Sequence, residues 1–239
     1  MKKLFFLAVV VLLAIQLPAQ QNIIHDPNVE LRDVKGFHAI EVSNGIDLYL
    51  SRGEKEQVAV TAKNPGWRDR IRTEVVDGVL KIYVKKEDRF QWRNSQKMKV
   101  YISFLNLDRL NASGASDIFV DGEIAGANLS IGLSGASDFR GSVRVDQLEL
   151  DQSGASDAAI RGTVAGVTTI HTSGASNIKG YELSTDSCVA HASGASDIKI
   201  TVHKEIDTQA SGASSVHYRG NPTVEKIHST GASSVKKVG

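Results

Sequence analysis

Short runs of alternating apolar and polar residues follow residue 30, and this alternation predicts β-strands rather than helices. Such runs span residues 38–50, 71–84 and 100–104. Within the second run, Asp77-Gly78 separates two alternating segments. This dipeptide readily forms the tight turn between antiparallel strands, so it predicts a β-hairpin.

The second half of the chain repeats the pentad Ser-Gly-Ala-Ser-Asp, with small changes at its ends. Seven copies occur, at intervals of 18 to 21 residues. They begin at Ser113, Ser134, Ser153, Ser173, Ser193, Ser211 and Thr230. A strand-like repeat with a period near 20 predicts a solenoid, in which each repeat forms one coil and stacks on its neighbours.

Positions in the repeat can be counted from the pentad glycine as zero. Positions −4, −2 and +4 are mostly apolar or small, and position +2 is serine in every copy. Successive side chains of a strand point to opposite faces, so the even positions, including the glycine, are predicted to face inward. A buried serine needs a partner, either the serine of the next coil or a backbone carbonyl. Glycine at position zero indicates a bend or a close backbone approach.

The sequence therefore predicts an all-β fold. Its main part is a parallel β-solenoid, or β-helix, with coils of about 20 residues and a filled, narrow interior. We expect a regular solenoid over residues 111–239, continuous with an N-terminal region of irregular β coils or hairpins over residues 22–110.

Residues 1–19 have the pattern of a secretory signal peptide. Two lysines precede an apolar stretch from Leu4 to Leu17, and Ala19 offers a small residue for cleavage. About 14 apolar residues are short for a membrane span. Removal of the segment leaves 26 basic and 27 acidic residues, a balance that does not favour nucleic acid as a partner. The single cysteine, Cys188, is interpreted as a buried small apolar residue.

The pentads, together with the Asn44-Gly45-Ile46-Asp47 segment in what we interpret as the first hairpin, resemble a family of exported bacterial proteins. It is labelled "putative auto-transporter adhesin, head GIN domain" and is common in Bacteroidetes. The resemblance covers roughly residues 30–239. It implies a β-solenoid of secreted or surface type, an adhesive role and no established catalytic residues.

Two columns of side chains are candidate metal ligands. Position +3 places Asp117, Asp138 and Asp157 on successive coils, where carboxylates suit Ca²⁺ or instead cap backbone amides at a turn. Asn or Ser at this position in later coils favours capping. Position −3 aligns a carboxylate and two imidazoles, which are typical ligands of transition metals. The alternative is that these are only exposed polar side chains that share a column. These residues are Asp151, His171 and His191.

Lys85 to Lys99 forms a basic loop that contains two aromatic residues. It could dock an anionic glycan or a lipid head group, or it could be a solvated loop. The candidate binding residues are Arg89, Phe90, Trp92 and Arg93.

No arrangement of residues favours catalysis, since the nucleophile elbow Gly-x-Ser-x-Gly is absent from the chain. We therefore interpret the protein as an exported, non-catalytic binding, adhesion or scaffold protein without a cofactor. Its place is the periplasm, the outer-membrane surface or the medium, without a stable membrane span once the signal is removed. Its partner is a glycan or an envelope protein. The alternatives are an enzyme acting on polysaccharide and an envelope protein that self-associates through its solenoid ends.

Overall fold

The computed structural model describes residues 28–85 and 97–239, of which 67% are strand. The predicted signal peptide lies outside these residues. In the two ranges, no helix is long and apolar enough to cross a membrane. The elements are β1 (Glu30–Arg32), β2 (Ala39–Val42), β3 (Ile46–Arg52), β4 (Gln57–Ala62), α1 (Pro65–Arg68), β5 (Ile71–Val76), β6 (Val79–Val84), β7 (Met98–Phe104), β8 (Arg109–Ala112), β9 (Ile118–Leu133), β10 (Asp138–Gln152), β11 (Asp157–Thr172), β12 (Asn177–Ala192), β13 (Asp197–Ala210), β14 (Ser215–Arg219), β15 (Val224–Ser229) and β16 (Ser234–Lys237).

The predicted all-β solenoid is confirmed. It is a parallel stack of about six turns with coils about 20 residues apart. From β9 onward each strand pairs in parallel with the strand one coil later, through β10, β11, β12 and β13 to β14 and β15. Each coil runs along one strand, turns at its pentad and continues in the next strand.

Antiparallel strands cover the N-terminal end of the stack. β4 pairs with β1 and β7, while β5 and β6 form the predicted hairpin. At its turn, Asp77 and Gly78 both have positive φ, 51° and 74°. The helix α1 joins β4 to β5, and the Asn64 side chain caps its first turn by accepting the Gly66 N–H at 2.8 Å.

The Asn44-Gly45 turn is a coil corner, so the interpretation of its flanking strands as a hairpin was wrong. β2 pairs in parallel with β6 and β8, and β3 pairs in parallel with β7 and β9. The turn lies against the first pentad, because the Ile46 N–H donates to the Ser116 hydroxyl at 3.2 Å. An Asn-Gly turn marks a hairpin only when its flanking strands pair with each other.

Within the pentads, the predicted inward position of the glycine was also wrong. All seven pentad glycines are exposed and have positive φ, between 69° and 79°. The two central residues, Gly and Ala, form the corner of the coil, so the alternation of faces stops there and resumes at position +2. The even positions on either side of the corner are buried in the first six repeats, as predicted.

The serine at position +2 is buried in six repeats, and in five of them its hydroxyl donates to a backbone carbonyl of its own coil. The Ser137 hydroxyl donates to the Ser134 carbonyl at 3.0 Å, and Ser176 donates to Ser173 in the same way. Of the two predicted partners, the backbone carbonyl is therefore the one found. The bond closes the corner from inside and satisfies a hydroxyl that would otherwise be costly to bury.

The interior is filled with apolar side chains from the capped end to the sixth repeat. Phe104 and Phe139 are its largest fully buried residues, and Cys188 is buried as predicted. In the last coil every residue of β15 is exposed, including Ile227, whose counterparts in earlier coils face the core. Self-association through this end stays a prediction.

Differences in coil length are absorbed away from the pentads. The register shifts between Val145 and Gln147 where β10 pairs with β11. It shifts between Gly180 and Ser184 where β12 pairs with β13. The pentads and the strand ends before them remain in register, so outward positions −3 and −1 form straight columns along the solenoid.

Candidate functional site

A long groove runs beside the pentad corners, parallel to the solenoid axis. Positions −3, −2 and −1 of the coils line it, and the equivalent residues of β6, β2 and β8 extend it toward the capped end. The groove spans nine parallel strand ends and has a volume of about 1210 Å³. At about 4.8 Å per layer it is roughly 38 Å long. Such a length fits an extended ligand better than a compact one.

One column of the groove consists of hydroxyl groups at position −1. Four of these hydroxyls donate to a backbone carbonyl of the preceding coil, among them Ser193 to Thr172 at 3.2 Å and Ser173 to Gln152 at 3.4 Å. Hydrogen bonds of this length are weak. A hydroxyl can both donate and accept, so this column can exchange these bonds for bonds to a ligand.

Position −3 supplies the second column, and it contains the predicted Asp151, His171 and His191. The strand pairing places the three side chains on neighbouring coils. The two imidazole rings stack with their centroids 5.0 Å apart and an angle of 15° between planes. Partial burial raises the pKa of the Asp151 carboxyl, Glu149 raises it further, and His171 opposes the shift.

The aspartates at position +3 cap backbone amides across coils. One carboxylate oxygen of Asp117 accepts the Asp138 N–H, and Asp138 accepts the Asp157 N–H, both at 3.3 Å. Farther along, the Asn177 amide donates to Asp157 at 2.8 Å. Burial, and then repulsion from Asp138, raise the pKa of Asp117. This column lies on the opposite side of the corner from the groove.

No three histidine, cysteine, aspartate or glutamate side chains of the described residues group closely enough to hold a metal ion. Metal binding by either column stays a prediction. The other predicted binding residues, Arg89, Phe90, Trp92 and Arg93, lie outside the described residues. Their segment follows β6, and Lys81 and Tyr83 of β6 line the end of the groove.

Residues 36–222 match the family described as "Putative auto-transporter adhesin, head GIN domain". The chain belongs to this family. The resemblance inferred from the pentads is thereby confirmed. No protein of curated function matches the chain.

Solved structures share the fold of this GIN-domain chain at low sequence identity. A protein of Bacteroides fragilis described as a "putative adhesin" is 23% identical, with a TM-score of 0.81 over 89% of this chain and 98% of its own. A "putative lipid binding protein" of Parabacteroides distasonis is 21% identical, with a TM-score of 0.64 over 90% and 98%. A "putative adhesin" of the same species is 19% identical, with a TM-score of 0.65 over 88% and 96%. These names are those of binding proteins, not of enzymes.

Sequence alignment of the pentads could identify position −3, but not the groove itself. The groove is lined by the hydroxyl column at position −1 and lies beside the coil corners. These corners follow from the left-handed conformation of the pentad glycine, which simple alternation does not include.

Proposed function

We propose that the protein is an exported, non-catalytic binding protein of the cell envelope that holds an extended glycan along its groove. The observation that supports this proposal is the uninterrupted run of polar side chains over nine coil layers. The signal-like first 19 residues and the adhesin family support export and an envelope location.

The chemistry of the groove suits sugar hydroxyls. Position −1 offers serine or threonine hydroxyls in every repeat, and position −3 offers amide, carboxylate and imidazole groups such as those of Asn111, Asp151 and Gln209. These groups recur about every 4.8 Å along the axis. A polymer with hydroxyls along its length can meet several of them at once, so weak individual contacts add up.

A lipid is a less suitable occupant, although one structural neighbour is described as a lipid binding protein. An acyl chain needs an apolar lining. Here the exposed columns at −3 and −1 are polar, and the apolar side chains at −2, such as Leu133, are buried beneath them.

An enzyme acting on polysaccharide would need a pair of carboxylates about 5–10 Å apart. Asp151 has the raised pKa of a general acid. The other carboxylate among the described groove residues is Glu41, and strand pairing separates the two by three coil steps. Three steps correspond to roughly 14 Å, so this pair does not support hydrolysis. Glu149, whose charge acts on Asp151, lies outside the groove lining.

A glycan array with the purified protein, followed by calorimetry with the best ligand, tests the proposal. Gly132 lies in the groove floor at position −3, and Gly132→Tyr would place a ring across the path of a bound chain. A new Cβ there meets only the end of the flexible Asn111 side chain. We expect the variant to lose at least about tenfold in affinity, equivalent to about 1.4 kcal/mol.

Thr163→Tyr is the matched control, because Thr163 is exposed outside the groove lining. It should bind like the unaltered protein. The proposal fails when no glycan on the array binds above background, or when both tyrosine variants bind with equal affinity.

A further inference from the structure

A second hollow lies on a different face of the solenoid, beyond the aspartate column. Its volume is about 720 Å³, within the usual range for small-ligand sites. Its floor contains Gly141 and Ala159, and four cationic side chains surround it. These are Arg140, Arg161, Lys179 and Lys199.

The hollow exists because a small residue interrupts a column of long side chains at position +5. Strand pairing aligns these residues on successive layers. In order from the capped end they are Tyr101, Tyr49, Phe119, Arg140, Ala159, Lys179 and Lys199. The three aromatic rings stack, with both centroid distances 5.1 Å. Ala159 leaves a gap between Arg140 and Lys179 where a ligand group can enter.

Positive charge dominates the lining, in which Glu182 is the only carboxylate among the described residues. Aspartates at position +3 form ion pairs with three of the cations. Their separations are 3.4 Å for Arg140 and Asp138, 4.0 Å for Lys179 and Asp157, and 2.7 Å for Lys199 and Asp197. The side chains of Arg140 and Lys179 remain 60% and 65% exposed.

Arg161 is an exposed arginine at the rim, and it makes no hydrogen bond or ion pair with any described residue. Its guanidinium is therefore available for a carboxylate, which arginine can bind through two parallel hydrogen bonds. Aromatic side chains flank the charges. The Arg140 guanidinium lies over the ring of Phe119. The guanidinium carbon of Arg219 lies 4.0 Å from the centroid of the Tyr181 ring.

We propose that this hollow is a second binding site, for a carboxylate-bearing sugar of an acidic polysaccharide. The carboxylate pairs with Arg161 and its neighbouring cations, and the sugar ring enters the gap above Ala159 between Arg140 and Lys179. A flat anionic membrane would contact the rim but not the recessed floor. The site shares no lining residue with the groove, so it does not depend on the function proposed for the groove.

Calorimetry with a panel of hexuronate and sialic acid oligosaccharides, and with their neutral methyl esters, tests this site. We expect at least one acidic oligosaccharide to bind and its ester to bind at least about tenfold more weakly. Binding should also weaken as salt rises, because the contacts are partly exposed ion pairs.

Two variants locate the binding. Arg161→Gln should weaken it about tenfold, and Ala159→Glu, which fills the gap and adds a negative charge, should abolish it. Arg109→Gln is the matched control, since it removes one exposed positive charge outside both sites. Arg109→Gln and Gly132→Tyr should leave this binding unchanged.

Several outcomes would overturn the inference. These are no binding across the panel, equal binding of acid and ester, or equal effects of Arg161→Gln and Arg109→Gln. Loss of binding in Gly132→Tyr but not in Arg161→Gln would assign the acidic ligand to the groove instead. Arg161-dependent binding to anionic lipid vesicles without oligosaccharide binding would identify a membrane contact.

Discussion

The backbone of Gly135 lies directly on the backbone of Gly114, and the next residue, Ala136, donates its N–H to the Gly114 carbonyl at 2.8 Å. A side chain on Gly135 would collide with that carbonyl oxygen. The same arrangement recurs at Gly154, Gly174 and Gly194. The hydrogen-bonded ladder therefore passes through the corner without interruption, which only glycine permits.

Gly135→Ala is expected to destabilise the fold by about 3 kcal/mol, because it combines a left-handed backbone with a backbone collision. Gly122→Ala is the control that separates the two effects. Gly122 also has positive φ, 83°, but open space surrounds its position. Gly122→Ala should lower the free energy of unfolding, measured in urea, by only about 1 kcal/mol. Equal losses for the two variants would show that the collision contributes nothing.

The buried Gln152 is a weak point of the core. It is 4% exposed, and neither polar atom of its amide has a partner among the described residues. The equivalent residue one coil earlier is Leu133. Gln152→Leu should raise the free energy of unfolding by about 1–2 kcal/mol, since it removes unpaired buried polar atoms.

An exposed glutamine provides the comparison for that substitution. Gln147→Leu should change stability by less than about 0.5 kcal/mol. A loss of stability in Gln152→Leu would mean that the amide is satisfied by a buried water.

Asp117 makes stability depend on pH. The raised pKa of Asp117 means that the folded state binds this proton more tightly than the unfolded state, so the ionised carboxylate opposes folding at neutral pH. Asp117→Asn, which keeps an oxygen for the Asp138 N–H, should raise the melting temperature at pH 7. The difference should disappear below about pH 4, where the carboxyl is protonated in both states. Asp146→Asn, at an exposed site without a partner in the described structure, should leave the melting temperature at pH 7 unchanged.

Cys188 should be inert in the native protein. Full burial raises the pKa of its thiol to about 12, so almost no thiolate is present at pH 8 and reagents cannot reach it. A thiol-specific chromogenic reagent should therefore react only after urea is added. Rapid labelling of the folded protein would mean that the coil containing Cys188 opens locally.

Much of this fold was predictable because its repeat carries both a period and a turn. The even positions around Ser116 were correctly predicted to face inward. Gly114 was wrongly predicted to face inward, because the alternation of faces does not continue through a residue with positive φ. Asn44-Gly45 was misread for a related reason, because a short turn does not reveal whether its strands pair with each other. The hollow at Ala159 depends on alignment across five coils of a position outside the pentad, and no local pattern marks it.

The stacked pentad glycines also keep the rise from one coil to the next constant. Coils of 18 to 21 residues bulge on the far side, while the pentads and the columns beside them stay aligned. A coil inserted between two existing ones would extend the groove by one hydroxyl and about 4.8 Å, and every other contact would keep its spacing. In the proposed glycan site, the number of pentads therefore sets the length of the polymer segment that is bound.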